Sequence, residues 1–150
     1  MTNEMFVYIL FAVGAIAVVA AAYISSSTPS LSSFGVGNII IANRSWNVYI
    51  ASTTAQQEEG YMYQHSIGNC NGDENCLGML FPMDANEDIC MWMHNTPIPL
   101  YQYWIYNGSI AYAYNGIPFS DYTVCHYGNA VLESQQQYAV GTKVELVGST

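Results

Sequence analysis

Positive charge is almost missing from this chain. Arg44 and Lys143 are its only Lys or Arg among 150 residues, and the formal net charge is -9. Such a surface repels phosphate backbones and anionic lipid headgroups, which excludes nucleic acid as a partner. Charge of either sign is scarce too: Asp, Glu, Lys and Arg make up 9% of the chain, against about 25% in ordinary globular proteins. Thirteen Tyr, with many Ser, Thr, Asn and Gln, stand in their place. They keep a surface hydrogen-bonded without ionised groups, which suits an exterior environment. Also missing are Gly-x-Ser-x-Gly, a phosphate loop, a dinucleotide fingerprint and His-Glu-x-x-His. With no such motif, the chain is expected to be no enzyme and to carry no cofactor.

What is present begins with residues 5–24, twenty positions without a charge. At about 1.5 Å per residue this run makes a helix of roughly 30 Å, the thickness of a bilayer's hydrocarbon core. A cleavable signal would be shorter and follow a basic stretch, whereas Met1-Thr2-Asn3-Glu4 is acidic. The expectation is one retained membrane-spanning helix over residues 1–24. Small residues let helix backbones approach, so Gly14, Ala17 and Ala21 are expected to pack against other protein subunits, of the same or another kind. Residues 25–33, rich in Ser and broken at Pro29, read as a linker. A single domain over residues 34–150 follows, since about 117 residues build one core and not two.

Four cysteines, Cys70, Cys76, Cys90 and Cys125, allow three pairings. Cys70 and Cys76 bracket the turn-forming Asn71-Gly72-Asp73-Glu74-Asn75, which favours Cys70 with Cys76 and Cys90 with Cys125. Asn43-Arg44-Ser45 and Asn107-Gly108-Ser109 fit the glycosylation pattern. Disulfides and glycans both point outside the cytoplasm. The expected location is therefore the membrane, with the C-terminal domain on the exterior face.

Two runs rich in Tyr, Trp and Ile, residues 100–106 and 109–114, flank Asn107-Gly108 and predict a β-hairpin with a type I′ turn. Trp46, Val48 and Ile50 alternate along a further strand, and residues 130–132 and 143–147 add short ones. Thr54-Ala55-Gln56-Gln57 matches a capping box and predicts a helix reaching about Gln64. The expected fold is mainly β, a small sandwich or barrel with one short helix.

The His, Met and acidic residues offer candidate metal and catalytic sets. Cys90, Met91, Met93, His94 and His126 offer soft copper ligands, but Met also fills cores. The stretch from Asp84 fails as an EF-hand because Ile89 takes the Gly position and Asn95 the Glu position. Asp73, Glu74, Asp84, Glu87 and Asp88 read as solvated loop carboxylates. Glu133 and His126 form a conceivable acid and base pair. No metal is expected.

Gly78-Met79-Leu80-Phe81, then Met91-Trp92-Met93-His94-Asn95-Thr96-Pro97-Ile98-Pro99-Leu100, then Val131-Leu132-Glu133 with Gly141 resemble the signature of the DUF192 family. Glu59-Gly60-Tyr61-Met62 resembles its Arg-Gly-Leu-Met element, and Cys125-His126-Tyr127 its Cys-x-x-Tyr region. The likeness covers roughly residues 36–148 and implies a compact β-rich domain with no assigned activity. Departures are Glu59 where the family has Arg, His94 where it often has Lys, and Tyr101 where it has Asp. For the retained Gly78, Met79, Phe81, Met93, Asn95, Pro99 and Leu100, turn, core and backbone-bonding roles are expected.

The sequence is thus read as a non-catalytic, membrane-anchored exterior module, an accessory or structural subunit of a larger membrane or envelope assembly. One alternative is a pilin-like filament subunit, although pilin processing removes the leader before the apolar run. The other is a surface domain that binds a small ligand.

Overall fold

A computed structural model describes residues 30–147. The apolar run at residues 5–24, with Gly14, Ala17 and Ala21, lies outside the described residues. Among the described residues, no helix is long and apolar enough to cross a membrane.

Seven strands form one sheet: β1 (Gly35–Ile41), β2 (Arg44–Ile50), β3 (Cys76–Met91), β4 (Leu100–Tyr106), β5 (Ser109–Gly116), β6 (Val124–Ser134) and β7 (Val144–Val147). Their order across the sheet is β5-β4-β6-β3-β2-β1-β7. Hairpins join β1 to β2 and β4 to β5. At their tips Ala42 and Asn43 have φ of 51° and 61°, and Asn107 and Gly108 have 49° and 68°. Positive φ at both central residues matches the turn's twist to that of the strands.

The sheet curls into a half-barrel whose ends touch. Ser109 bridges to Lys143, and the Val144 N–H donates to the Gly108 carbonyl at 3.0 Å. Ile39, Ile41, Val48, Leu80, Tyr103, Ile110, Leu132 and Val144 form one buried cluster. Because it joins residues from both ends of the strand order, it fills the concave face. The alternate residues Tyr49, Met79, Phe81, Trp104 and Val131 form a second cluster on the convex face. Period-two alternation thus buries both faces of the central strands. Burying each large apolar side chain contributes roughly 1.5–3 kcal/mol before conformational entropy is set against it.

The convex cluster is covered by the connection from β2 to β3, which contributes Tyr61 and Cys70, and by Ile98 from the loop after β3. Leu31 packs against the same cluster from a single 3-10 turn, Leu31–Ser33, capped by Ser30. β2 and β3 are parallel, which requires a crossover rather than a tight turn. That crossover carries the one α-helix among the described residues, α1 (Thr54–Glu59).

Of the expected sandwich or barrel, the barrel-like form is found: all seven strands belong to one hydrogen-bonded order, a single curled sheet, and not to two packed ones. The helix also stops short of Gln64. Gly60, at φ 46°, turns the chain out of it while its N–H still donates to the Gln56 carbonyl. The capping box sits one residue earlier than expected, with Thr53 as the cap and Gln56 answering it. Thr53 and Thr54 both satisfy the pattern. Gln57 is used elsewhere: its side-chain amide donates to the carbonyls of Ala51 and Pro82, tying α1 to β3.

Candidate ligand cleft

β6 sits between β3 and β4, so its inward residues meet side chains from two strands. Glu133 on β6 pairs with Met79 on β3 and Gln102 on β4. Such close approach at Glu133 requires Gly78, where a Cβ would lie 1.9 Å from the Glu133 backbone oxygen. The carboxyl is buried, with Glu133 only 4% exposed. Its Oε1 accepts from Gln102 Nε2 at 2.8 Å. Burial pushes its pKa from 4.5 up to about 7, and the Gln102 hydrogen bond opposes the rise. Water solvates a carboxylate far better than a protein interior does, so desolvation disfavours the charged form.

Above this carboxyl lies a cleft of about 430 Å³. One wall is α1 with the turn after it, including Glu58, Glu59, Gly60 and Tyr61; the other is the far half of β3, including Glu87 and Asp88, with Trp92 and His94 beyond. At the floor, a Cβ on Gly60 would lie 3.3 Å from the Phe81 ring and 4.0 Å from Glu133 Oε2. The missing side chain at position 60 is what leaves Phe81 and Glu133 open to the cleft. Tyr61 is buried, and its hydroxyl donates to the Ile67 carbonyl at 3.2 Å. Burial first, and then the Glu133 carboxylate, raise its pKa well above the usual phenol value.

The mouth is held by short-range ties. Trp92 and His94 stack with ring centroids 4.9 Å apart, and His94 Nδ1 lies 2.5 Å from Asp121 Oδ1. Asn95 Nδ2 donates to the Tyr63 hydroxyl at 2.8 Å, and the Tyr63 N–H donates back to the Asn95 carbonyl at 2.8 Å. These bonds fix the turn after α1 against the loop after β3.

The cysteines pair as Cys70 with Cys76 and Cys90 with Cys125, leaving none free. Cys90 stands directly opposite Cys125 in the β3–β6 ladder, and Cys90 lines the cleft. Asn43 and Asn107 are both exposed at hairpin tips, away from the cleft lining. The two tips lie near each other, because the Ala42 N–H donates to the Lys143 carbonyl and the Val144 N–H to the Gly108 carbonyl.

Other candidate sets come apart. Glu133 and His126 stand seven residues apart along β6, about 23 Å at strand rise, and His126 stacks instead on Tyr112 and meets Trp104 edge to face. They are not an acid and base pair. The soft-ligand set is dispersed: Cys90 is in a disulfide, and Met93 lies buried beside Gln102. Asp73 accepts hydrogen bonds from Asn47 and from the Asn75 N–H. No three His, Cys, Asp or Glu among the described residues stand close enough to hold a metal ion.

Gln102 was missed by motif reading. The signal lay in the alternation Leu100, Gln102, Trp104, which puts a polar side chain in a buried stripe and demands a polar partner. Tyr61 and Trp92 were present only as letters of a resemblance. Tyr61 reaches the cleft through the crossover from β2 to β3, and Trp92 through the end of β3, which it directly follows.

Two solved structures share the fold. One, from Sinorhizobium meliloti 1021, is of a candidate transcription regulator; it matches with a TM-score of 0.65 and 22% identity over 80% of this chain and 98% of its own. The other, a protein of unknown function from Novosphingobium aromaticivorans DSM 12444, matches with a TM-score of 0.65 and 20% identity over 80% and 94%. No curated protein matches the chain. Gly78, Met79, Phe81, Met93, Asn95 and Leu100 take core, close-approach and turn positions, and the family model described as uncharacterized ACR spans residues 38–147. The chain belongs to the DUF192 family.

Proposed function

We propose that this protein is a non-catalytic, membrane-anchored module whose exterior domain binds a small molecule in the cleft between α1 and β3. The observation that carries the reading is the buried Glu133 carboxyl at the floor of a 430 Å³ cleft. A polar group is retained in an apolar interior at a cost, and a concave apolar site with a few fixed polar groups is the usual form of a ligand pocket. Binding is favoured over catalysis because the carboxyl is bonded to the Gln102 amide and the neighbouring Tyr61 hydroxyl is committed to the Ile67 carbonyl, so neither supplies or activates a nucleophile. The disulfides and the two exposed sequons support an exterior location, and the uncharged run at residues 5–24 supports an anchor. The regulator description of the Sinorhizobium protein is not carried over: at 22% identity the likeness reaches the fold alone, and a chain with two basic residues repels nucleic-acid phosphates.

The test is ligand-observed NMR on the full chain in detergent, with a library of neutral, cationic and anionic fragments. Hits should compete for one site and disappear in a Thr123→Trp variant that fills the cleft. A library without hits, or hits indifferent to that variant, would overturn the reading.

A second reading, an accessory subunit of a membrane assembly, is favoured by the loop between β5 and β6. There Ile117, Phe119 and Tyr122 are 63%, 66% and 68% exposed, and apolar residues gathered at one surface mark interaction sites. Co-purification from native membranes in mild detergent tests it, with Phe119→Ser and Tyr122→Ser expected to release partner subunits. Recovery of a lone monomer from wild-type membranes would sink this second reading.

A further inference from the structure

We propose that the cleft selects an organic ammonium ion, its nitrogen placed on the Glu133 carboxylate and its carbon body against Phe81 and Trp92. This rests on the binding reading above and adds the ligand's chemical class.

Charge gives the first argument. Glu58, Glu59, Glu87, Asp88 and Glu133 line the cleft, and no Lys or Arg does. Arg44 is engaged elsewhere, with its guanidinium 3.8 Å over the Trp46 ring. The other titratable groups around the site are Tyr61, which is neutral, and His94, which is held by Asp121. The cleft thus presents negative potential and no cation of its own.

Hydrogen bonding gives the second argument, independent of the rim carboxylates. Gln102 is wholly buried, and its amide nitrogen satisfies Glu133 Oε1, while its own Oε1 has no donor. Gln102 lies outside the cleft lining, so the acceptor that a ligand can reach is the second oxygen of Glu133. Glu133 Oε2 lies on the Gly60 side, at the cleft floor. An ammonium group supplies up to three N–H donors together with the missing positive charge.

Shape separates this ligand from a metal ion. The carboxylates are spread along the walls, and no three acidic or His side chains among the described residues converge. Hard cations need several oxygens at one point. A cation with an apolar body instead uses one carboxylate and aromatic faces, which attract it through the ring quadrupole.

A proton linkage follows. Glu133 is close to half ionised at pH 7, and a bound cation favours the carboxylate, so binding releases a proton. Affinity is expected to rise about tenfold between pH 6 and pH 8.

The experiment is isothermal titration of the full chain in detergent with benzylamine, tetramethylammonium and putrescine, and with benzyl alcohol as the neutral control. It is run at pH 6 and pH 8, in buffers of differing ionisation heat. The expected result is binding of at least one ammonium compound, about tenfold tighter at pH 8, with proton release and no binding of benzyl alcohol. Glu133→Gln should weaken it tenfold or more. If that variant does not fold, the wild-type pH profile and the double variant Glu59→Gln/Glu87→Gln, expected to bind severalfold more weakly, carry the same test. Equal, pH-independent binding of benzyl alcohol would overturn the ammonium class while the ligand cleft stands. So would failure of all three amines where other fragments occupy the cleft. Absence of any fragment binding would instead overturn the binding reading itself.

Discussion

Glu133 is a carboxyl held where its charge is poorly solvated, and that has a measurable effect on stability. Its pKa is 4.5 when exposed and about 7 in the fold, so between those values the folded chain binds more protons than the unfolded one. Stability therefore falls as pH rises through that window, by about 3 kcal/mol in all, and the loss is complete above pH 7. Glu133→Gln should remove this dependence and leave the protein about 1–3 kcal/mol more stable than wild type at pH 8. Urea denaturation at pH 5 and pH 8 checks it; an identical pH response in both proteins would mean that Glu133 is not the titrating group. Gly78 makes a prediction of the opposite sign. A Cβ there would meet the Glu133 carbonyl at 1.9 Å, so Gly78→Ala must push β3 from β6 at the sheet's centre. A loss of about 3 kcal/mol or more is expected, at the upper end for overpacking, because the obstacle is backbone and cannot rotate away. Thermal melting of Gly78→Ala within a few degrees of wild type would contradict that register.

At the scale of elements, what could be read from the sequence depended on whether a strand's pattern was local. The β4–β5 hairpin was legible because Asn107-Gly108 sits between two aromatic runs, and β2 because Trp46, Val48 and Ile50 share one face. β3 was not. It contains Pro82 and the acidic stretch 84–88, which read as a loop, yet the chain stays extended there by bulging. Pro82 pairs with Ala130 and Glu87 with Gly128, so five steps on β3 face two on β6. β1 was missed as well, since Gly35, Gly37 and Asn38 dilute its apolar residues. The parallel pairing of β2 with β3 has no local signal at all, and the cleft depends on it because α1 lies in that crossover. The cysteine pairing was legible in full, because Cys70 and Cys76 close a turn and so leave Cys90 to Cys125. Removing Cys70–Cys76 should cost about 2 kcal/mol, and removing Cys90–Cys125 about 4, because its loop is longer. Chemical denaturation of Cys→Ala pairs measures both. A larger loss from the short loop than from the long one would contradict the chain-entropy account.

For the whole molecule, composition and family likeness gave a β-rich domain, while the strand order of the single curled sheet and the cleft on its convex side came only from structure. Net charge and family membership say nothing about which strands are neighbours. The sheet order places β6, residues 124–134, between β3 and β4. Those two strands cannot complete their ladders until a segment near the end of the chain arrives. Contacts of such sequence separation slow folding, and refolding of the oxidised domain is expected on the millisecond-to-second scale. Stopped-flow tryptophan fluorescence measures it; microsecond refolding would contradict the topology. The same order bears on biogenesis. A nascent chain that has emerged only as far as residue 123 lacks the strand between β3 and β4 and has nothing to hold those two side by side. Until β6 has been made, Cys90 lacks the residue it faces across that ladder, so the longer disulfide can close only after most of the described residues have been synthesised.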